Sequence, residues 1–206
     1  MRFGMIGAGT LSQAIATHPL RTGHDVIFSN SRGPDTLTEL VANLGPGAFA
    51  GTIAEAGEAD FVVLAVHWGT QVRDALKALP PRPGRILIDA TNQWAVPPPS
   101  SIVDSSVEGG SELVASLLPD ARVIKAFDNM YGIKIVEDPV TPAGRRVLFY
   151  AGDDADAKSQ FRAVVEEFGF APLDLGPLQM GRLMQLNGPL TGFHAVREEV
   201  AHPMGI

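Results

Sequence analysis

The sequence predicts an α/β fold of the Rossmann type, with a doubly wound, mostly parallel sheet and a C-terminal extension of strand and helix. Three observations predict it. Arg2-Phe3-Gly4-Met5-Ile6 reads as a buried strand that runs straight into a glycine turn, Gly7-Ala8-Gly9, and then into a helix. Apolar runs such as Phe61-Val62-Val63-Leu64-Ala65-Val66 are bounded by turn residues, which suits strands covered on both faces of a parallel sheet. Between such runs stand stretches with helical spacing, so strand and helix alternate at short intervals.

Each element follows from local chemistry. The first helix runs from about Thr10 toward Thr17, and Pro19, which has no N–H and crowds the turn before it, should end or kink it. Asp25 to Phe28 is the second strand. Gly33-Pro34-Asp35 begins the next helix, with proline at its first position and an acid in its first turn. Leu37, Leu40, Val41 and Leu44 share one face of that helix, and Gly45-Pro46 ends it. Ala48-Phe49-Ala50 reads as a short strand and Ile53 to Glu58 as a helical turn. After the apolar strand at Phe61, Thr70 to Leu79 is helical, and Arg85 to Ala90 is a strand. A loop rich in proline and serine follows, then a helix over Ser111–Leu118 and a strand over Arg122–Phe127. Beyond Asp138 come a strand over Arg145–Tyr150, a helix starting at Asp153-Asp154, and a strand over Phe170–Leu175. A last helix is expected from Leu178 to Val200, broken near Gly188-Pro189. Residues 1–137 read as an NADP-binding domain, and residues 138–206 as an extension packed on the same sheet with a terminal helical lid.

Composition narrows the function. The chain has 206 residues and is 45% hydrophobic, enough for a buried core that needs neither disulfide nor metal. Lys and Arg number 16 against 23 Asp and Glu, a net charge of −7. An acidic chain without basic clusters argues against nucleic-acid and anionic-membrane partners. Cysteine is absent, which excludes a thiol nucleophile and Cys-ligated metal and is compatible with a cytoplasmic protein. There is no signal-peptide pattern and no apolar run of the ~20 residues that a membrane span needs. The five histidines are scattered, and Asp153, Asp154 and Asp156 lack the glycine and glutamate of a calcium loop, so no metal is expected.

The glycine turn carries the clearest chemistry. Gly7 makes the tight turn, and Gly9 lets a pyrophosphate approach the backbone. Ala8, Thr10 and Leu11 complete the cradle, at a helix start whose free N–H groups attract phosphate. Ser12 replaces the third glycine and is small enough to pack there. The second strand ends in Ser29-Asn30-Ser31-Arg32. An NAD-type site has Asp or Glu at this place, roughly 20 residues past the glycines. Hydroxyls, an amide and a guanidinium suit the 2′-phosphate of NADP instead, with Asn30, Ser31 and Arg32 as its contacts. The competing reading of Arg32 is a solvated surface residue.

The segments MIGAGTLSQAIA, SNSR, ADFVVLAVHW, LIDATN, RVIKAFDNM and DLGPL together resemble the NADP oxidoreductases dependent on coenzyme F420, a deazaflavin, over essentially the whole chain. Several of them recur in other NADP-binding reductases, including the cytosolic domains of metalloreductases. The resemblance implies an oxidoreductase that transfers a hydride between NADP(H) and a flat redox partner, coenzyme F420. It places the nicotinamide near Ala65, Val66, His67 and Trp68, near Asn92, and near Ala126. It also gives Thr10, Ser31 and Arg32 to the NADP phosphates. Three departures mark the acceptor side. His67 stands where the family carries proline, Gln93-Trp94 follows Asn92 where a proline is common, and Asp128-Asn129 replaces Asn-Thr. They leave open an NADPH-dependent reductase of a small carbonyl, imine or flavin, and a non-catalytic NADP(H)-binding or sensing module.

His67 and Asn92 are the nicotinamide-pocket candidates, His67 as a contact or proton donor and Asn92 through its amide. A packed loop histidine is the competing reading of His67. Trp94 offers a ring to stack on. Asp128 reads either as a substrate-positioning group or as a surface carboxylate, and Lys125 as a strand-edge lysine. Met180, Leu183 and Met184 suit core or dimer contact, so a homodimer is expected. No nucleophile–base pair or G-x-S-x-G elbow is present. Hydride transfer between flat rings needs alignment more than an acid–base dyad.

Overall fold

The computed structural model describes residues 1–93 and 110–198. The proline-rich loop, Trp94 within it, and the last eight residues lie outside that description. In chain order the strands are β1 (Arg2–Ile6), β2 (Asp25–Ser29), β3 (Ala48–Ala50), β4 (Phe61–Leu64), β5 (Ile86–Asp89), β6 (Arg122–Ala126), β7 (Val140–Thr141), β8 (Gly144–Gly152), β9 (Ala171–Asp174) and β10 (Val196–Arg197). The helices are α1 (Thr10–Arg21), α2 (Thr38–Leu44), α3 (Ile53–Gly57), α4 (Thr70–Ala78), α5 (Gly110–Leu117), α6 (Gly132–Ile135) and α7 (Ala155–Glu167).

Six parallel strands lie in the order β3-β2-β1-β4-β5-β6. The direction of winding reverses between β1 and β4, which opens a crevice at the carboxyl ends of these strands. Beyond β6 the sheet continues with β8, which runs antiparallel to β6 and pairs with β7, β9 and β10.

Alternation along the strands builds two core layers. Phe3 and Met5 of β1 join Val26, Phe28, Phe61 and Val63 on the face covered by α1, α6 and α7. Ile6, Val62, Leu64 and Leu87 point to the other face, under Ala56 of α3, Val72 and Leu76 of α4 and Val114 of α5. Gly4 is the point of closest approach between strand and helix. A Cβ there would lie 1.8 Å from the carbonyl oxygen of Ala56, so only glycine lets α3 rest on β1. The start of α3 carries a reciprocal cap that the sequence reading overlooked. Thr52 Oγ1 accepts from Glu55 N, and the Glu55 carboxylate accepts from Thr52 N at 2.7 Å.

Three expectations change. Pro19 lies inside α1 and does not end it. The last turn holds because Thr22 N–H and its hydroxyl both donate to the His18 carbonyl, and His24 N–H to that of Pro19. The helix expected from Gly33 is split into a 3-10 turn over Pro34–Leu37 and then α2. The terminal stretch is not a helix: a 3-10 segment over Leu178–Leu183 leads through turns to β10. Gly181 presses against the Lys125 side chain, and Leu190 N–H folds back to the Leu183 carbonyl across Gly188-Pro189. Met184 is fully buried in a third, smaller core, against Val147 and Phe149 of β8.

His18 ties α1 to α6. The ring is wholly buried, with Nε2 2.6 Å from the Ile135 carbonyl oxygen and Nδ1 3.1 Å from Arg21 Nη2. With the guanidinium donating to Nδ1 and Nε2–H donating to the carbonyl, the ring is neutral. Burial pushes its pKa down to about 4, and Arg21 adds to this while the Ile135 carbonyl opposes it. The folded state therefore holds this proton less tightly than the unfolded chain does. The stabilisation is complete above the ordinary histidine range and is lost as pH falls from about 6.5 to 4, by about 3 kcal/mol for this group. Urea titrations across that window should give a shallower decline for His18→Gln than for the native chain.

Candidate functional site

The crevice at the strand ends is a cleft of about 1010 Å³. Its centre is the β1–α1 turn. Gly7 has φ +109, and its N–H donates to the Ser29 carbonyl at 3.0 Å. A Cβ on Gly7 would sit 2.3 Å from the Ala65 carbonyl oxygen, so glycine is required both for the torsion and for contact with β4. Gly9 is the opposite case. Its torsions suit any residue, yet a Cβ there would meet nothing within 4 Å. That open space faces the cleft. No side chain caps α1 at Gly9, which leaves the first N–H groups of α1 for an anion. Ser12 is buried in the place of the third glycine.

Ala8, Thr10 and Leu11 line the cleft with the two glycines. Asn30, Ser31 and Arg32 line it from the end of β2. Asn30 Oδ1 accepts from the Arg32 backbone N–H at 2.8 Å, and Asn30 Nδ2 donates to Thr36 Oγ1 at 2.9 Å, so this corner is internally braced. Ser31 and Arg32 are exposed there. Ser29 is not part of the corner: it is buried, and its hydroxyl donates to the Met5 carbonyl. Ala65, Val66, His67 and Asn92 line the other end of the cleft. Thus the structure brings together every residue read as cofactor-binding except Ala126. Ala126 is wholly buried within β6 and is not part of the cleft wall. The sequence reading also missed part of the wall, namely Ile53 and the α4 residues Gln71, Asp74, Ala75 and Ala78.

His67 is exposed in the cleft, and the neighbouring Trp68 packs against the second core layer. Asn92 is more committed than its sequence position suggests. Its Nδ2 donates to the Asp128 carbonyl at 2.8 Å, and its Oδ1 accepts from Leu186 N at 3.2 Å. One N–H and one lone pair of the amide remain for a ligand.

Behind Thr91 and Asn92 lies a buried charge cluster. Lys125 is not at a strand edge; it sits in β6 between β5 and β8, with no exposed surface. Its Nζ lies 3.2 Å from Asp128 Oδ2 and 3.5 Å from Asp89 Oδ2, and donates to the Thr91 carbonyl. Asp89 is otherwise saturated, accepting from Thr91 N at 2.9 Å, Thr91 Oγ1 at 2.6 Å and Ser111 Oγ at 2.6 Å. Asp128 is buried too, which removes the surface reading, and it does not line the cleft. Its Oδ1 has no hydrogen-bond partner. Burial pushes its carboxyl up to about 6, Asp89 adds to the rise, and Lys125 opposes it. For Lys125, burial pulls the pKa down, but Asp128 and Asp89 outweigh it, so the ammonium stays charged. Phe127 has φ 68, a left-handed conformation that an aromatic residue seldom adopts. That turn sends its ring into the core against Phe161 and Phe170, between the two ionic residues Lys125 and Asp128. Lys125→Met leaves two carboxylates buried without a counter-charge and should lower the unfolding free energy by about 3–5 kcal/mol. Adding Asp128→Asn should recover part of the loss in the same denaturant titration.

Residues 2–93 match the family model described as NADP oxidoreductase, coenzyme F420-dependent. The crystal structure of a hypothetical protein, SMa0349 from Sinorhizobium meliloti, superposes with a TM-score of 0.88 at 31% identity, covering 96% of both chains. A candidate F420-dependent NADP reductase from Arthrobacter sp. FB24 superposes with a TM-score of 0.72 at 22% identity, over 88% of this chain and 87% of that one. The latter is a likeness of fold. The metalloreductase STEAP3 of Rattus norvegicus is 27% identical over 184 residues, which are 88% of this chain but 35% of that protein. The chain therefore spans about a third of the length of the curated relatives it matches. Turn, sheet order and matched segment agree: residues 2–93 are similar to the family described as NADP oxidoreductase, coenzyme F420-dependent, and the chain as a whole shares the fold of these reductases.

Proposed function

We propose that the chain binds NADP(H) along the cleft and transfers a hydride between its nicotinamide and a flat acceptor, coenzyme F420. The observation that carries the proposal is the open space at Gly9 beside an uncapped helix start, in a cleft whose end at β2 offers Ser31 and Arg32. The pyrophosphate rests on the backbone from Gly7 to Leu11. The 2′-phosphate takes the Arg32 guanidinium, the Ser31 hydroxyl and the Asn30 corner. The nicotinamide lies against Ala65, Val66, His67 and Asn92. When bound, the nucleotide supplies or accepts the hydride, and the protein holds the two rings in register and keeps water from between them.

His67 supports a second reading. Of the departures from the family pattern, it is the one that enters the cleft among the described residues; Asp128 and Asn129 are buried behind it. An imidazole on the cleft wall suits proton delivery during reduction of a small carbonyl, imine or flavin by NADPH. A homodimer in the cytoplasm completes the proposal. Exposed Tyr131 and Ile133 at α6 and Phe193 and Val196 in the C-terminal extension give the chain apolar surface that suits a second copy, and a cysteine-free chain is compatible with that compartment. Among the described residues no helix is long and apolar enough to cross a membrane.

Mixing the protein with NADPH and oxidised F420 tests the proposal, read by deazaflavin absorbance. Turnover is expected, and Arg32→Ala should raise the KM for NADPH about ten-fold while leaving NADH use unchanged. Turnover with carbonyls, imines or flavins but not with F420 selects the second reading. Saturable NADPH binding without turnover of any acceptor selects a non-catalytic NADP(H)-binding module.

A further inference from the structure

We infer that the buried cluster of Asp89, Lys125 and Asp128 tunes the redox preference of the bound nucleotide. Its uncompensated negative charge favours the oxidised, cationic nicotinamide and makes the reduced form a stronger hydride donor. The inference rests on the NADP(H) reading above, with the nicotinamide at the Asn92 end of the cleft.

Contacts fix the charge of the cluster. The Lys125 ammonium faces two carboxylates, 3.2 Å from Asp128 Oδ2 and 3.5 Å from Asp89 Oδ2, and all three side chains are buried. Asp89 Oδ1 accepts the Thr91 N–H, and its Oδ2 faces the ammonium. Both partners can only donate, so neither Asp89 oxygen holds a proton. Asp128 differs, because its Oδ1 meets no hydrogen-bond donor. One cation against two anions leaves one negative charge over, and its seat is the carboxylate with the free oxygen. Burial raises that carboxyl to about 6, so the charge is present above this pH and is lost below it. Neighbouring elements do not cancel it. Tyr150 of β8 stays neutral, because burial raises its phenol. Glu112 of α5 and Arg182 of the 3-10 segment pair with each other at 2.9 Å. His194 is exposed and lies toward Arg146 and Lys134.

The cluster stands one residue layer behind the cleft wall. Thr91 lines the cleft, while its carbonyl accepts from Lys125 Nζ and its hydroxyl donates to Asp89. Asn92 lines it too, and its amide donates to the Asp128 carbonyl. Protein rather than solvent fills the layer between, so the field of the extra charge reaches the cleft with little screening. A nicotinamide ring that gives up a hydride loses two electrons and one proton and is left with a positive charge. A fixed negative charge behind that ring binds NADP+ more tightly than NADPH and shifts the equilibrium toward hydride donation. Asp128 acts here through the wall, without touching the ligand. The family pattern has asparagine at this place, an isostere without the charge, so the effect is a property of this chain.

Dissociation constants for NADP+ and NADPH, measured by calorimetry at about pH 8 on the native chain, Asp128→Asn and Arg32→Ala, test this. The readout is the ratio of the Kd for NADPH to the Kd for NADP+, in which contacts to phosphate, ribose and adenine cancel. Asp128→Asn should lower it about ten-fold, the order expected of one charge acting across a residue layer at an effective dielectric of about 20. For a two-electron couple that is a rise of about 30 mV in the potential of the bound nucleotide. A change of shape alone would weaken both forms together. Arg32→Ala should do that and keep the ratio. Between about pH 8 and about pH 5.5 the native ratio should fall more steeply than that of Asp128→Asn. His67 lines the same end of the cleft in both chains, so its contribution drops out of the comparison. The inference is overturned if Asp128→Asn leaves the ratio unchanged or raises it. If a circular-dichroism melt shows that variant unfolded, the His67→Gln chain decides: its ratio should fall several-fold over the same pH range, and a flat ratio overturns the inference. No saturable binding of either nucleotide to the native chain overturns the NADP(H) reading as well, a result distinct from a constant ratio.

Discussion

One ammonium group facing two carboxylates inside the sheet sets the geometry of the deeper end of the cleft. Lys125 draws together Asp89 at the end of β5, Asp128 after β6, and the carbonyl of Thr91. Thr91 is also fixed from its other side by Asp89, and Asn92 is tied to the Asp128 carbonyl. The wall that faces the ligand is thus the outer surface of an ionic cluster that never reaches solvent. The cluster constrains its surroundings in turn. Gly181 is small because the Lys125 stem lies against it, and Phe127 takes a left-handed turn between the two ionic residues. A turn of that kind stores of order 1–3 kcal/mol, which the packing of the Phe127 ring must offset.

The two ends of the cleft are built on different principles. The phosphate end uses backbone: a positive torsion at Gly7, open space at Gly9 and free N–H groups at the head of α1. Such a device depends on few neighbours and tolerates change elsewhere. The end at β5 and β6 uses side chains drawn from strands far apart in sequence, with the segment after Leu183 closing over Asn92.

The same division decides what can be read from residues alone. The turn from Gly7 to Leu11, the Asn30–Arg32 corner and the apolar strands are local patterns, and each lies where the sequence places it. Lys125 was misplaced because its neighbours in the chain are apolar whether a strand is central or at the edge. Its position follows only from β8 adding beyond β6, a pairing with no local signature. Asp128 looked like a surface group for the same reason. Ala126 is enclosed in the first core layer within β6, and the sequence does not say how far down each strand the cleft reaches. The terminal stretch kept a helix-like apolar spacing, but Gly181, Gly188 and Pro189 and the contact with Lys125 bend it into turns. The α4 part of the cleft wall was legible in principle, since polar residues and alanines repeat at helical spacing beside the core face, but an exposed helix face carries the same mark.

Ala75 belongs to both faces of α4, the one packed in the second core layer and the one that borders the cleft. A ligand in the cleft would therefore touch a residue that is also part of the core, beside Ala78 and Ile53. Occupancy and folding are then linked. The nucleotide-loaded chain is more stable than the empty one by an amount that grows with the logarithm of nucleotide concentration, as holds for any ligand that binds only the folded state.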